Sequence, residues 1–222
     1  MDTQSIAVEN LFSNIPEAFK PLFAVKQPWD ILAKLDDFLA TIMDNRQGDI
    51  HPTAVIDGPL HLAKGASIGP HVYIDGPAWI GEGATVKHAA YFRKGVVLAA
   101  GAEIGAKTEI KHSLFLPGAK AAHLNYVGDS VIGADVNIGA GVKLANFKAD
   151  GSFIRVEDIE TGLRKFGSIV GDDVSVGCNA VLTPGTVVGA NTIIYNCAVL
   201  RGVVPSNSIV KLRQRLEIVE RR

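Results

Sequence analysis

The stretch IGPHVYIDGPAWIGEGAT, residues 68–85, repeats one pattern three times: an isoleucine opens each group of six residues, and glycine or aspartate follows it. The same spacing extends on both sides, because an apolar residue occupies every sixth position from residue 50 to residue 116. These positions are Ile50, Ile56, Leu62, Ile68, Ile74, Ile80, Val86, Phe92, Leu98, Ile104, Ile110 and Leu116. The period matches neither a half-buried strand nor an amphipathic helix, so a different repeating unit is needed.

A six-residue repeat is typical of a parallel β-helix, in which each hexad forms one short strand and one turn. The apolar residue points inward, and small residues such as Ala78 and Ala84 fit the crowded turns. The repeat resumes at residues 132–144 and again at residues 170–200. The sequence therefore predicts an all-β, left-handed parallel β-helix over residues 50–205, with three hexads per coil and roughly seven coils.

Two flanking segments fall outside the repeat. Residues 1–49 form a predicted N-terminal helical segment, with an amphipathic helix at residues 31–44 capped by Asp30. We expect this helix to cover the open strand edges of the first coil, and binding of a partner protein is the alternative. Residues 206–222 are predicted to be a charged, solvated tail.

Composition excludes several classes of protein. The formal net charge is -1 and the basic residues are dispersed, which argues against nucleic-acid binding. With neither a secretory signal nor a membrane span apparent, a cytoplasmic location is the default expectation. Cys178 and Cys197 show no metal-binding spacing and are expected to be small buried residues. The six histidines are scattered over the repeat, so we expect that no metal is required.

Two cations mark a candidate anion site. Arg93 and Lys111 are 18 residues apart and follow the core residue of their hexads, so they stack on one face about 4.8 Å apart. We expect no carboxylate to relieve their repulsion and therefore an anionic ligand such as a phosphate, although a solvated pair is the alternative. Tyr73, Tyr91 and Glu109 form a second row that lines a sugar pocket or only decorates the surface.

The stretch AKAAHLNYVGDS, residues 119–130, breaks the six-residue count. We interpret it as a loop that leaves the β-helix and carries His123. A histidine can accept a proton near neutral pH, as acylation of an amine requires, because only the uncharged amine attacks a thioester. The alternative is a solvated or structural histidine.

Two longer stretches resemble a known family. HLNYVGDSVIGADVNIGAG, residues 123–141, resembles the HLxYxGDxxIGxxxNIGAG signature in the acetyltransferase domain of bifunctional bacterial glucosamine-1-phosphate N-acetyltransferase/uridylyltransferase. RKGVVLAAGAEIGAKTEIK, residues 93–111, is similar to the RPGAxLxxGxxxGNFVExK segment of that domain. The resemblance extends over about residues 50–205.

The resemblance implies roles for individual residues. His123 would be the general base, and Asn146 would lie near the acetyl group. The sugar phosphate would be held by Arg93, Lys111, Tyr126 and Asn137. Coenzyme A would lie around Ala140 and Cys178, between neighbouring subunits of a homotrimer.

This sequence departs from the family pattern at several places. Phe147 replaces the tyrosine of the family's NYDG motif, Cys178 replaces a serine, and the loop at residues 145–169 is longer. These stretches are closer to hexapeptide domains named sugar nucleotidyltransferase-like, which makes a different acceptor plausible. The first 49 residues contain no glycine except Gly48, so they lack the nucleotide loop of the uridylyltransferase half, and we expect no uridylyl transfer.

The sequence thus predicts an acetyl-CoA-dependent N-acyltransferase whose acceptor is an amino-sugar phosphate or a nucleotide-linked amino sugar. The alternative is a non-catalytic β-helix subunit that binds a sugar phosphate or sugar nucleotide. A carbonic-anhydrase-like β-helix would need histidines converging on a metal from neighbouring coils, and the dispersed histidines argue against it.

Overall fold

In this computed structural model, short strands wind around a single axis and form three faces. The structure describes residues 6–221; residues 1–5 and 222, which belong to the predicted N-terminal segment and tail, lie outside the described residues. The strands of each face pair in parallel with those of the next coil, which confirms the predicted parallel β-helix. Within residues 6–221 the third face has nine strands, so the prediction of seven coils was too low.

The first face contains β3 Val55–Asp57, β6 Tyr73–Asp75, β9 Tyr91–Leu98, β11 Glu109–Phe115, β13 Tyr126–Gly128, β16 Lys143–Leu144, β21 Val181–Leu182 and β24 Val199–Leu200. The second face contains β1 Asn45–Arg46, β4 Leu60–Leu62, β7 Ala78–Ile80, the second halves of β9 and β11, β14 Val131–Ile132, β19 Ser168–Val170, β22 Thr186–Val188 and β25 Val203–Val204. The third face contains β2 Asp49–Ile50, β5 Ser67–Ile68, β8 Thr85–Val86, β10 Glu103–Ala106, β12 Lys120–His123, β15 Asn137–Ile138, β20 Ser175–Val176, β23 Ile193–Ile194 and β26 Ile209–Val210. These strands extend beyond both predicted boundaries, residues 50 and 205.

The interior is filled by the apolar side chains of the repeat, such as Ile74, Ile80 and Val86, together with residues between the strands such as Val72 and Ala84. Leu98 pairs with Phe115 and Phe115 pairs with Ile132, so two successive coils advance by one residue less than the usual eighteen. Phe115 therefore lies in the interior, and the assignment of Leu116 to it was wrong.

The predicted loop at residues 119–130 is also wrong. Residues 120–123 and 126–128 form β12 and β13, which pair with their neighbours in register. Ala121 and Val127 point into the core. The shortened coils change the phase of the repeat without interrupting it, so His123 stays on the surface of the β-helix.

The N-terminal segment contains α1 Val8–Leu11, α2 Lys20–Phe23 and α3 Ile31–Ala40, with 3₁₀ turns at Glu17–Phe19 and Pro28–Asp30. The α3 helix is shorter than predicted, and the Asp30 carboxylate accepts a hydrogen bond from the Gln27 N–H without capping α3. Its Leu35 and Leu39 pack with Val97 and Leu114 on the middle of the second face. The expectation that this helix covers the first coil was therefore wrong.

An insertion at residues 145–169 folds over the same second face. It contains an antiparallel hairpin of β17 Arg155–Val156 and β18 Ile159–Glu160. Phe166 is fully buried and its ring centroid lies 6.2 Å from that of Trp29, so the insertion packs against the N-terminal segment.

Two surface features complete the fold. Cys178 and Cys197 are both exposed, contrary to the expectation of burial. Residues 212–221 are exposed and have no regular structure, as the charged composition of the tail suggests. The helices among the described residues are too short and too polar to cross a membrane.

Candidate functional site

Arg93 and Lys111 pair in register on β9 and β11, so the predicted stack of cations on the first face is present. Each cation has a carboxylate partner, contrary to expectation. The Arg93 guanidinium lies 2.7 Å from Glu109 Oε1, and Lys111 Nζ lies 2.7 Å from Asp129 Oδ1. The hydrogen bond that Arg93 donates to Glu109 raises the pKa of Arg93 above its ordinary value. The repulsion between the two cations is thus relieved within the protein, and it does not by itself require a bound anion.

Asp129 is the centre of a buried polar cluster. Burial acts to raise the pKa of its carboxyl, but hydrogen bonds from His112, Lys111 and Asn146 outweigh burial and lower that pKa. His112 Nδ1 lies 3.4 Å from Asp129 Oδ1. His112 Nε2 lies 2.9 Å from Asp36 Oδ1 on α3, but this second contact does not have the geometry of a hydrogen bond. The cluster holds Lys111 and Asn146 in fixed positions at the corner between the first and second faces.

Tyr126 joins this cluster from the neighbouring row. It pairs with Glu109, which pairs with Tyr91, so the row of Tyr73, Tyr91 and Glu109 continues through Tyr126. Its hydroxyl donates to Asn146 Oδ1 at 3.2 Å. Burial, reinforced by the negative charges of nearby carboxylates, raises the pKa of this phenol, which keeps the donor protonated.

Gly128 makes room for the cluster. A Cβ atom at this position would lie 2.7 Å from both Asn146 Nδ2 and Tyr126 Oη, closer than a real Cβ contact. Any side chain here would displace the two residues that the resemblance assigns to ligand binding, so the glycine of the GDS triplet has a steric role.

His123 lies at the corner between the third and first faces. Backbone hydrogen bonds stack this corner: the N–H of Leu124 donates to the Ala106 carbonyl oxygen, and the N–H of Gly141 donates to that of His123. The N–H groups of Asn179 and Cys197 continue the stack onto the carbonyl oxygens of Ala140 and Cys178. His123, Ala140 and Cys178, assigned to base and coenzyme A binding, therefore occupy one corner in successive coils. His123 is exposed, and its ring has no hydrogen bond or ion pair within residues 6–221.

A groove of about 520 Å³ runs along the third face beside this corner. Asn137 and Cys178 line it together with Tyr195 and Asn196, and Asn196 Oδ1 accepts a hydrogen bond from the Cys178 N–H. The side-chain amides and exposed backbone groups of this groove can form hydrogen bonds with a linear donor molecule that itself carries amide groups. Asn137 is thus on the groove's face, separated by the corner from Arg93, Lys111 and Tyr126.

Sequence reasoning missed Glu109 and Asp129 as ion-pair partners and His112 as a neighbour of Asp129. A signal was present, because Asp129 belongs to the GDS triplet within the recognised signature. Asp129 follows Lys111 by 18 residues, so the same count that stacks Arg93 and Lys111 also indicates this carboxylate. In the structure Lys111 pairs with Gly128, and Asp129 lies one position further on, at the corner.

Comparison with known proteins gives two families. The family described as GMPPB C-terminal domain matches residues 74–177, and the family described as bacterial transferase hexapeptide (six repeats) matches residues 167–202. A bifunctional protein GlmU from Methanococcus vannielii is 39% identical over 191 residues, covering 84% of this chain and 46% of that protein. A bifunctional sugar-1-phosphate nucleotidylyltransferase/acetyltransferase from Sulfurisphaera tokodaii is 38% identical, covering 79% and 45%. The chain spans about half the length of these relatives.

Among solved structures, a UDP-N-acetylglucosamine acyltransferase from Campylobacter jejuni matches with a TM-score of 0.41 and 18% identity, over 70% of this chain and 69% of that one.

Proposed function

Because the chain is a hexapeptide-repeat protein with a relative named as a sugar-1-phosphate nucleotidylyltransferase/acetyltransferase, we propose that it transfers an acetyl group from acetyl-CoA to the amine of an amino sugar that bears a phosphate. The observation that carries this proposal is the juxtaposition at one corner of His123, Ala140 and Cys178, with the Arg93, Lys111 and Tyr126 cluster on the adjoining first face. The groove proposed for the acetyl donor and the face proposed for the acetyl acceptor therefore meet at the corner that carries His123.

In this mechanism the amine nitrogen attacks the thioester carbonyl carbon while the His123 imidazole accepts the amine proton. The tetrahedral intermediate then collapses, the carbon–sulfur bond breaks, and the proton passes to the departing thiolate. A backbone N–H or the Asn146 amide would stabilise the oxyanion. Asn146 is bound to Tyr126 and Asp129 within its own chain, so its contact with the acetyl group would require a neighbouring subunit or a local rearrangement.

On the acceptor side, Arg93 and Lys111 would exchange part of their interaction with Glu109 and Asp129 for the sugar phosphate. Arginine and lysine are the side chains best suited to phosphate, and ion pairs that already order them reduce the entropy lost on binding. Tyr126 would donate a hydrogen bond to the sugar from its protonated hydroxyl.

A non-catalytic sugar-phosphate-binding subunit is the second candidate. Phe147, which is exposed where the resemblance has a tyrosine, favours it because a hydroxyl is lost beside the candidate acceptor cluster. Binding of acetyl-CoA, measured by titration calorimetry, separates the two functions, since a subunit that binds only sugar has no use for the donor.

The proposed function is tested by incubating the purified chain with acetyl-CoA and a panel of amino-sugar phosphates, with detection of the acetylated sugar by mass spectrometry. Glucosamine-1-phosphate belongs in the panel, and glucose-1-phosphate is the matched control because it lacks only the amine. Acetylation of amines but not of the control supports the proposal. If no amino sugar is acetylated although acetyl-CoA binds, the proposed acceptor class is wrong.

A further inference from the structure

A cleft of about 710 Å³ opens at the corner between the first and second faces, on the opposite side of the first face from His123. One wall is α3, one is formed by the turns of the β-helix, and the third is formed by Leu163 and Lys165 of the insertion. Neither α3 nor the insertion belongs to the hexapeptide repeat. The cleft therefore exists because these two added elements pack beside the repeat.

The residues of the candidate site follow one another across the first face, from the His123 corner to this cleft. His123 lies at one corner, Tyr126 begins the strand that crosses the face, and Lys111 and Asp129 lie at the far corner, where both line the cleft. A sugar with its amine at His123 and its phosphate near Lys111 would present any further group on that phosphate to the cleft. A free sugar phosphate would end before it.

The cleft offers a partner for each part of a nucleotide. Lys94 and Lys165 line it, and neither side chain has an ion pair within the described part of the chain, so both are available to phosphate. Asp75 also lines it and can accept hydrogen bonds from ribose hydroxyls, a common role for a carboxylate in nucleotide sites.

The walls formed by α3 and the insertion also supply apolar side chains. These are Leu32, Leu39 and Leu163, as is usual for a pocket that binds a planar base. Asp36 and Asp129 line the cleft as well, but Asp129 is neutralised by Lys111, and Asp36 faces His112. Because Asp36 has no hydrogen bond to His112, the charged side chains that remain available are Lys94 and Lys165 against Asp75 and Asp36, which suits a ligand that carries both phosphate and hydroxyl groups.

We propose that this cleft binds the nucleoside diphosphate portion of a nucleotide-linked amino sugar, which is then the acceptor of the acetyl group. The inference rests on the proposed function for the chemistry at the sugar. The cleft itself is a binding site whether or not acetyl transfer occurs, so the two can be tested separately.

Binding is tested first, with nucleoside diphosphates (UDP, GDP and dTDP) titrated into the full chain by calorimetry. Ala33 is an exposed residue of α3 that lines the cleft, so Ala33→Trp fills it without changing the core. Lys34→Trp is the matched control, because Lys34 is exposed on the same helix and lies outside the cleft. We expect at least one nucleoside diphosphate to bind, with affinity at least about tenfold weaker in Ala33→Trp and unchanged in Lys34→Trp. Absence of binding at millimolar concentration, or equal affinity in all three proteins, overturns the proposal.

Kinetics then connect the cleft to the acceptor. The Michaelis constant for a nucleotide-linked amino sugar should rise about tenfold in Ala33→Trp, whereas that for glucosamine-1-phosphate should not change. Acetylation of both acceptors with equal efficiency in both variants overturns the cleft as an acceptor subsite and leaves the proposed function intact. Binding of the nucleoside diphosphate without acetylation of any acceptor refutes the proposed function and leaves the cleft as a nucleotide site.

Discussion

Asp129 is the residue on which the acceptor face depends. Its carboxylate binds Lys111, approaches His112, and accepts a hydrogen bond from Asn146, so one buried charge positions three side chains. Removing one partner of a buried ion pair costs far more than removing an exposed pair, because the remaining charge stays unsatisfied.

The first prediction concerns this carboxylate. Asp129→Asn should lower the free energy of unfolding at pH 7 by about 2 kcal/mol, since Lys111 keeps a hydrogen-bond acceptor but loses its counterion. The pKa of Asp129 is lowered by folding, so its contribution is present above the pKa of the unfolded chain and lost as the pH falls through the folded value. The gap between wild type and variant, measured by urea unfolding, should therefore shrink below about pH 4.

Glu109→Gln is the control for that measurement. The Glu109 and Arg93 side chains are 35% and 42% exposed, so losing their ion pair should cost less than about 1 kcal/mol. A stability gap for Asp129→Asn that stays constant at every pH would contradict the role assigned to its charge.

Gly128 gives a second prediction at the residue scale. The methyl group of Gly128→Ala would collide with Asn146 and Tyr126, and a displacement of about 1 Å in a positioned site can lower the rate about 10²-fold. We expect the rate of acetyl transfer to fall by this amount, whereas the melting temperature should change little. Gly69→Ala, whose added Cβ meets backbone at 3.2 Å in a coil far from the cluster, should keep full activity.

At the scale of elements, the N-terminal segment is fastened to the β-helix through Asp172. One carboxylate oxygen accepts hydrogen bonds from the N–H and hydroxyl of Ser13 and the N–H of Asn14, and the other accepts from the N–H of Ala134. The side chain is buried, so these donors lose their partner if the charge is removed.

Asp172→Asn should therefore lower the free energy of unfolding by about 2–3 kcal/mol and speed amide hydrogen exchange in residues 8–40. Asp173→Asn makes the same chemical change at an exposed neighbour and should alter neither quantity. Equal protection of residues 8–40 in both variants would show that apolar packing alone holds the segment.

Elements also show where sequence reasoning succeeds and fails. The six-residue period predicts the β-helix and most of its core residues, because a buried side chain at every sixth position is a local rule. The period does not predict a coil shortened by one residue. His112 and Asp129 adopt φ values of 42° and 44° at the two corners where the coil is shortened. The positions of the core residues in the six-residue count shift by one after each of these corners.

Leu116 fits the six-residue count by coincidence. It is buried because the N-terminal segment covers the second face, and that contact is invisible to a periodic pattern. The same packing determines the position of α3, since Val97, Leu114 and Val131 form an outward apolar row that only the folded chain reveals.

At the scale of the whole molecule, the three faces have different tasks. The second is covered by the N-terminal segment and the insertion, the first presents the candidate acceptor cluster, and the third presents the candidate donor groove. The assignment of individual site residues by resemblance stays a prediction, because a single chain places Asn137 and Asn146 on opposite sides of the His123 corner.

The homotrimer also stays a prediction. Val199, Tyr195 and Ile209 are exposed apolar side chains on the last coils, where a neighbouring subunit could bury them. Sedimentation equilibrium should give a mass of three chains that does not change on dilution through the micromolar range. A stable mass of one chain would contradict any site shared between subunits.

The central claim is acetyl transfer with His123 as base, and the most direct test is the rate of thiol release from acetyl-CoA in the presence of the acceptor. His123→Ala should lower kcat by about 10²–10⁴-fold, the usual contribution of a general base. His88→Ala is the matched control, because His88 occupies the same corner two coils earlier, where its carbonyl oxygen accepts from the Lys107 N–H, and it should keep wild-type activity. Equal rates in all three proteins, or no thiol release with any amino sugar while sugar phosphate still binds, would contradict the account.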